Sequence, residues 1–226
     1  MAAGAGLPFA FAPYGFSFLG ALCPAVLFWV WVRSQQRRVF WRGWLFGLGM
    51  FAMGVSWVVN SFQYNHIPLF PAYALTALFV AFLALFPALF GWLVIRFGHG
   101  HDSWQLLLWL PLAWTLSEWA RGTLFTGFTW VQIGYSQVDT PLVGWAPVAG
   151  VYMMNWMLAL SAGVLVWLVA RPGDRWWKSA SILVALWGGG GALTIAEWTE
   201  RAGLSLRVAL IQGNIPQNLK WQPEYR

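Results

Sequence analysis

The sequence predicts an α-helical polytopic membrane bundle, with about six full spans after a short first helix. Three observations carry this. Of the 226 residues 59% are hydrophobic and only 9% charged, whereas soluble domains carry about 25% charged residues. The apolar residues fall into runs of membrane-spanning length, for which about 20 residues are needed. The Arg and Lys residues stand between those runs, where they read as topology signals.

Taken in order, Ala2 to Ala12 is apolar but only eleven residues long, too short to span, and has no positive leader region. Pro13, Tyr14 and Gly15 predict a tight turn. Phe16 to Val32 is the first full span, closed by Arg33, Arg37, Arg38 and Arg42. Gly43 to Val59 follows; Gly43 and Gly47, with Gly49 and Gly54, predict close helix packing. Asn60 to Pro71 is a polar and aromatic loop without Lys or Arg. Ala72 to Ile95 is the clearest span, with a kink expected at Pro87, and Arg96 ends it.

His99, His101 and Asp102 have some metal-ligand character, but no further His or Cys lies nearby, so a solvated loop is the expectation. Ser103 to Ala120 is a shorter, tryptophan-rich span. Gly144 to Ala170 spans again, with Asn155 and Ser161 as expected interhelical hydrogen-bonders, and Arg171, Arg175 and Lys178 near its end. The last span, Trp176 to Ala196, contains Gly188 to Gly191. These glycines lack the Lys-Ser/Thr of a phosphate loop, so flexibility or close packing is the reading. From Leu204 a short apolar run, LRVALI, suits a strand.

Composition also excludes functions. The formal charge of +6 is scattered between spans rather than gathered into a stripe, which argues against nucleic acid. The single cysteine, Cys23, rules out an internal disulfide and any multi-cysteine metal site. Its apolar neighbours favour a buried thiol. A small transporter would need polar groups at mid-span, and Ser56, Asn155 and Ser161 are accounted for by packing. A membrane scaffold without catalysis remains open.

The stretch Glu118 to Asp139, EWARGTLFTGFTWVQIGYSQVD, is the longest to mix charge, glycine and aromatics. Glu118 and Arg121 share a helical face and are expected to pair. Beyond them Gly122, Gly127 and Gly134 break helical periodicity, and Phe125, Phe128, Trp130 and Tyr135 suit the headgroup level. Two readings stand: an aromatic belt anchoring the neighbouring helices, or an interfacial loop holding a lipid with its head wet and its tails in oil.

This stretch resembles the apolipoprotein N-acyltransferase family of bacterial inner-membrane enzymes, whose pattern reads E-x-x-R-G-x-x-x-T-G-F-P-W-x-x-x-G-Y-S-Q. Glu118, Arg121, Gly122, Thr126, Gly127, Phe128, Trp130, Gly134, Tyr135, Ser136 and Gln137 fit; Thr129 stands where the family has proline. A second match, ALIQGNIPQNLKW (Ala209 to Trp221), is similar to the start of the family's periplasmic nitrilase-like domain. The resemblance implies a transmembrane domain over 1–203, its first helix truncated, and the first strand of an α/β nitrilase-like domain within 204–226.

It further implies acyl transfer from a phospholipid donor to the N-terminal cysteine amine of a diacylated apolipoprotein, through an enzyme thioester and without a cofactor. The family's Glu, Lys and Cys triad has no counterpart here, so this stretch of chain alone is expected to be inactive. The implied substrate-binding residues are Trp221, Trp130, Phe128, Tyr135, Glu118 and Arg121. For Trp221, interfacial anchoring and lining of the acyl site both stay open. With Arg33, Arg37, Arg38, Arg42, Arg96, Arg171, Arg175 and Lys178 in the inner loops and only Arg121 in the short external loops, the Glu118 loop and the C-terminal segment are expected to face the periplasm.

Overall fold

The computed structural model describes residues 1–64, 67–98, 102–170, 176–200, 202–203, 206–216 and 219. Trp221, the pair His99 and His101, and the cations Arg171 and Arg175 lie outside the described residues.

All regular structure among the described residues is helical. The short α1 (Ala2–Gly6) and a 3-10 turn (Leu7–Ala10) precede α2 (Leu19–Val32) and α3 (Gln36–Gly54). Next come α4 (Val58–Tyr64), α5 (Leu69–Leu83) and α6 (Leu85–Phe97). A three-residue α7 (Asp102–Trp104) runs through a π-helical turn (Gln105–Trp109) into α8 (Leu110–Thr123). Three 3-10 turns lead to α9 (Ala146–Ala170) and α10 (Trp176–Leu193). Among the described residues two helical stretches, Leu69–Phe97 and Pro141–Ala170, are long and apolar enough to cross a membrane; Leu19–Val32 is apolar but shorter.

The first eleven residues form only α1 and one 3-10 turn. They fold against α3, where a β-carbon on Gly49 would lie 2.4 Å from the Met1 carbonyl oxygen. The turn after them has a cis Ala12–Pro13 bond and positive φ at Gly15. Arg42 donates to Ser34 Oγ and, at 3.4 Å, to the Val30 carbonyl, while Trp31 donates to the Val39 carbonyl at 3.0 Å; together they close the turn between α2 and α3. On the other face of α3, a β-carbon on Gly43 would lie 2.9 Å from Ala88 Cα and one on Gly47 2.8 Å from Ala84 Cα. The expected small-residue packing is therefore realised within the chain, against the junction of α5 and α6.

That junction corrects the expected kink. The interruption falls at Ala84, three residues before Pro87. Pro87 has no N–H to give the Leu83 carbonyl and its ring crowds that oxygen, so the break appears one turn upstream. In α9 the regular helix is broken at Ala149 and Gly150, where φ reaches +65°. The aromatic centre of the core joins Phe28, Trp31, Phe46 and Trp114: Phe28 stacks on Trp31 at 6.0 Å, and Trp114 meets Phe46 edge-on at 6.0 Å.

Helix α10 docks through two indoles. Trp145 donates to the Leu186 carbonyl at 2.9 Å and Trp187 to Ser161 Oγ at 3.2 Å, giving Ser161 its interhelical bond. Gly188 to Gly191 are helical, as the packing reading requires. The strand expected over Val208 to Ile211 is not seen: residues 206–216 have no regular structure, Leu210 is 94% exposed, and no strand occurs among the described residues. A strand needs a neighbouring ladder for its N–H and C=O groups, and the described residues provide none.

Candidate functional site

The last two turns of α8 bury Ser117, Glu118 and Arg121. The chain then doubles back through Leu124–Thr126, with φ of 52° at Phe125 and 73° at Thr126. Gly127, at φ 80°, lies where a β-carbon would be 2.1 Å from the Gly122 carbonyl oxygen, so glycine is required there by both space and dihedral. The Phe128 N–H donates to the Arg121 carbonyl at 2.7 Å, which seals the reversal.

Arg121 is turned toward this returning segment. Its Nη1 donates to the carbonyls of Phe128 at 2.5 Å and Trp130 at 2.7 Å, and its guanidinium lies 5.2 Å from the Phe51 ring of α3. The expected pair with Glu118 exists at 3.9 Å, the weaker of its contacts. Glu118 Oε1 instead accepts the Ile133 N–H at 3.1 Å. Between these two holds sits Val131 at φ 60°, a conformation that a β-branched residue adopts only when its surroundings impose it.

Three further polar side chains bond to the loop or from it. Asn155 Oδ1, on α9, accepts the Gly134 N–H at 2.6 Å; Ser136 donates to the Ile133 carbonyl at 2.6 Å; Gln137 donates to the Ser17 carbonyl at 2.9 Å. Ser56 donates to the Met53 carbonyl and Ser161 to that of Met157, so the mid-span polar groups weighed for transport are bonded locally. Asn155 therefore bonds to the loop rather than to another helix. Gln132, fully buried, belongs to the same cluster and was not singled out by sequence, since one amide among apolar neighbours carries no pattern.

Two hollows flank the loop. The larger, an open cleft of about 560 Å³, is walled by Pro8, Phe11, Ala12 and Tyr14, by Met53, Gly54 and Trp57, and by Thr129, Trp130, Val131 and Tyr135. Trp130 faces Trp57 across it at 5.4 Å and is 54% exposed. The smaller, about 180 Å³, lies among Phe79, Phe82, Phe125, Phe128 and Arg121. Phe128 stacks on Trp130 at 5.8 Å between the two. Of the expected substrate-binding residues, the structure thus brings Trp130 and Tyr135 together in the cleft and Phe128 beside it. Glu118 and Arg121 are 2% exposed behind the loop.

The cleft is apolar in its walls, with the hydroxyls of Tyr14, Tyr135 and Thr129 and two indole N–H groups among its lining. Among the described residues no carboxylate, lysine or thiol lines it. Cys23 is buried in α2 near Gly6. The arrangement suits holding an amphipathic molecule.

The family model described as the apolipoprotein N-acyltransferase N-terminal domain matches residues 3–164. Among curated proteins, the apolipoprotein N-acyltransferase of Methylococcus capsulatus is 48% identical over 221 residues, covering 96% of this chain and 44% of the relative. That of Chromobacterium violaceum is 44% identical over 98% of this chain and 43% of the relative, and that of Coxiella burnetii 40% identical over 98% and 46%. The chain spans less than half the length of these relatives. With the family's own domain matched over most of its residues, the chain belongs to the apolipoprotein N-acyltransferase family.

Proposed function

We propose that this chain is the membrane part of a phospholipid:apolipoprotein N-acyltransferase, and that its cleft presents the phospholipid acyl donor. The observation that carries this is the cleft of about 560 Å³ formed by Trp130 and Tyr135 within the family's own motif. Apolar walls suit acyl chains, and the hydroxyl and indole groups suit a headgroup at the membrane surface. Phe128 backs Trp130, while Glu118 and Arg121 act from behind the loop.

In this reading the helices form about six spans of a bacterial inner-membrane bundle, with the Glu118 to Asp139 loop facing the periplasm. Residues 204–226 lead into a nitrilase-like part that supplies the thiol, carboxylate and lysine of acyl transfer. There the acyl carbonyl passes from the phospholipid ester oxygen to the thiol sulfur, and then to the cysteine amine of the diacylated apolipoprotein. Trp221 is the residue of the segment 204–226 to which the reading gives a substrate role. Reading the gene beyond codon 226 should find such a domain in frame.

The functional test is acyl transfer by the complete gene product. Trp130→Ala and Tyr135→Ala should each lower activity per folded molecule, by roughly tenfold or more for a displaced reacting group. Phe70→Ala, at an 84% exposed position away from the cleft, should leave it unchanged. Full activity in both cleft variants would overturn the reading.

A further inference from the structure

We propose that Arg121 is a positioning residue whose guanidinium sets the rim of the cleft. The inference rests on the cleft reading of the preceding section but is carried by different observations. Arg121 sits in α8, 2% exposed, and touches the cleft with none of its atoms. What it touches is the backbone on either side of Thr129, through the carbonyls of Phe128 and Trp130.

Three residues further on, Glu118 holds the Ile133 N–H. The segment 128–133 is thus fastened at both ends to one helical turn, with Val131 at φ 60° between the fastenings. Val131 in turn packs on Gly54: a β-carbon there would lie 2.7 Å from Val131 Cγ2. Without the fastening, the extended conformations open to valine lie lower in energy. Relaxing toward them would rotate the peptide that carries the Trp130 ring away from Trp57. A buried cation near hydrocarbon is costly, and bonding two loop carbonyls is what this one does with its charge. The consequence is a cleft whose shape is set by a residue outside it.

The test uses the complete gene product in phospholipid nanodiscs, with Arg121→Lys and Arg121→Met compared to Trp130→Ala. Lysine keeps the charge beside Glu118, but its ammonium ends short of where Nη1 meets the two carbonyls, so Arg121→Lys preserves folding if Arg121→Met does not. Hydrogen exchange of a peptide covering 128–133 should rise by about tenfold or more, while peptides from α3 and α9 stay unchanged. The KM for the phospholipid donor should rise by about tenfold, with kcat and the acceptor KM within about twofold, because binding geometry rather than chemistry is altered.

Unchanged exchange at 128–133 in Arg121→Lys would overturn the proposal. So would raised exchange with an unchanged donor KM, provided that Trp130→Ala raises that KM. An unchanged donor KM in Trp130→Ala would overturn the cleft reading instead, and the exchange result would still decide whether Arg121 fixes the loop.

Discussion

Asn155 Oδ1 accepts the Gly134 N–H at 2.6 Å, joining the middle of the α9 bundle to the loop that bears Trp130 and Tyr135. Asn155 is fully buried, so its replacement by leucine would leave the Gly134 N–H without an acceptor. A buried donor stripped of its partner costs about 1–3 kcal/mol. Thermal unfolding in detergent should show that loss for Asn155→Leu. Leu78→Ala, at a 67% exposed position, should fall within about 0.5 kcal/mol of the parent. Parental stability in Asn155→Leu would mean that the bond does not hold the loop.

Two glycines should respond in opposite directions to a larger side chain. Gly47→Val places atoms against the Ala84 backbone, which lies 2.8 Å from the first of them. Overpacking of that kind costs about 1–3 kcal/mol. Gly188 is helical and has nothing within 4 Å of an added β-carbon. Gly188→Ala should therefore stabilise α10 by about 0.5–1 kcal/mol through helix propensity. The same unfolding assay reads both; equal effects would refute the packing of α3 on the α5–α6 junction.

Charge placement gives a topology prediction. Reporter fusions after Gln36 and Gly173 should signal cytoplasm, and one after Asp139 periplasm. Arg121, the one cation expected in the short external loops, is buried against loop carbonyls, where it leaves the expected positive-inside asymmetry intact. A cytoplasmic signal at Asp139 would invert the bundle and place the cleft at the wrong surface.

Trp221 can be tested against Trp198, whose indole donates to the Leu193 carbonyl at 3.1 Å at the end of α10. In the complete gene product Trp221→Leu should lower acyl transfer more than it lowers protein level, by up to about a hundredfold where a reacting group is misplaced. Trp198→Leu should lower both together. Equal loss of activity per folded molecule in the two variants would assign Trp221 to anchoring alone.

Much of this architecture is readable from sequence because hydrocarbon-length runs and bounding arginines are coarse, local signals. Helices α2, α9 and α10 lie where those signals place them, whereas α3 begins at Gln36, seven residues before the expected Gly43, and takes in Arg37, Arg38 and Arg42. The Ala84 interruption is displaced from Pro87 because proline acts on the carbonyl four residues earlier. The break at Ala149 and Gly150 had no local cue beyond one glycine. In the site, Glu118 and Arg121 share a helical face as their spacing requires, yet the spacing says nothing of the loop carbonyls that return to meet Arg121. Val131 is the extreme case: valine favours extended backbone, yet it stands at positive φ, packed on Gly54 and two residues before the Ile133 N–H that Glu118 holds.

The measurement closest to the central claim is a map of where a phospholipid acyl chain contacts the protein. A phospholipid with a photoreactive group in one acyl chain, incorporated in nanodiscs with the complete gene product, can be crosslinked and the adducts located by mass spectrometry. Adducts should concentrate on Phe11 to Tyr14, Met53 to Trp57 and Thr129 to Tyr135, the three walls of the cleft, and Trp130→Ala should reduce them there while leaving those on α5 unchanged. Adducts spread evenly over the exposed helix faces, with no enrichment at these walls, would contradict the assignment of the cleft to the acyl donor.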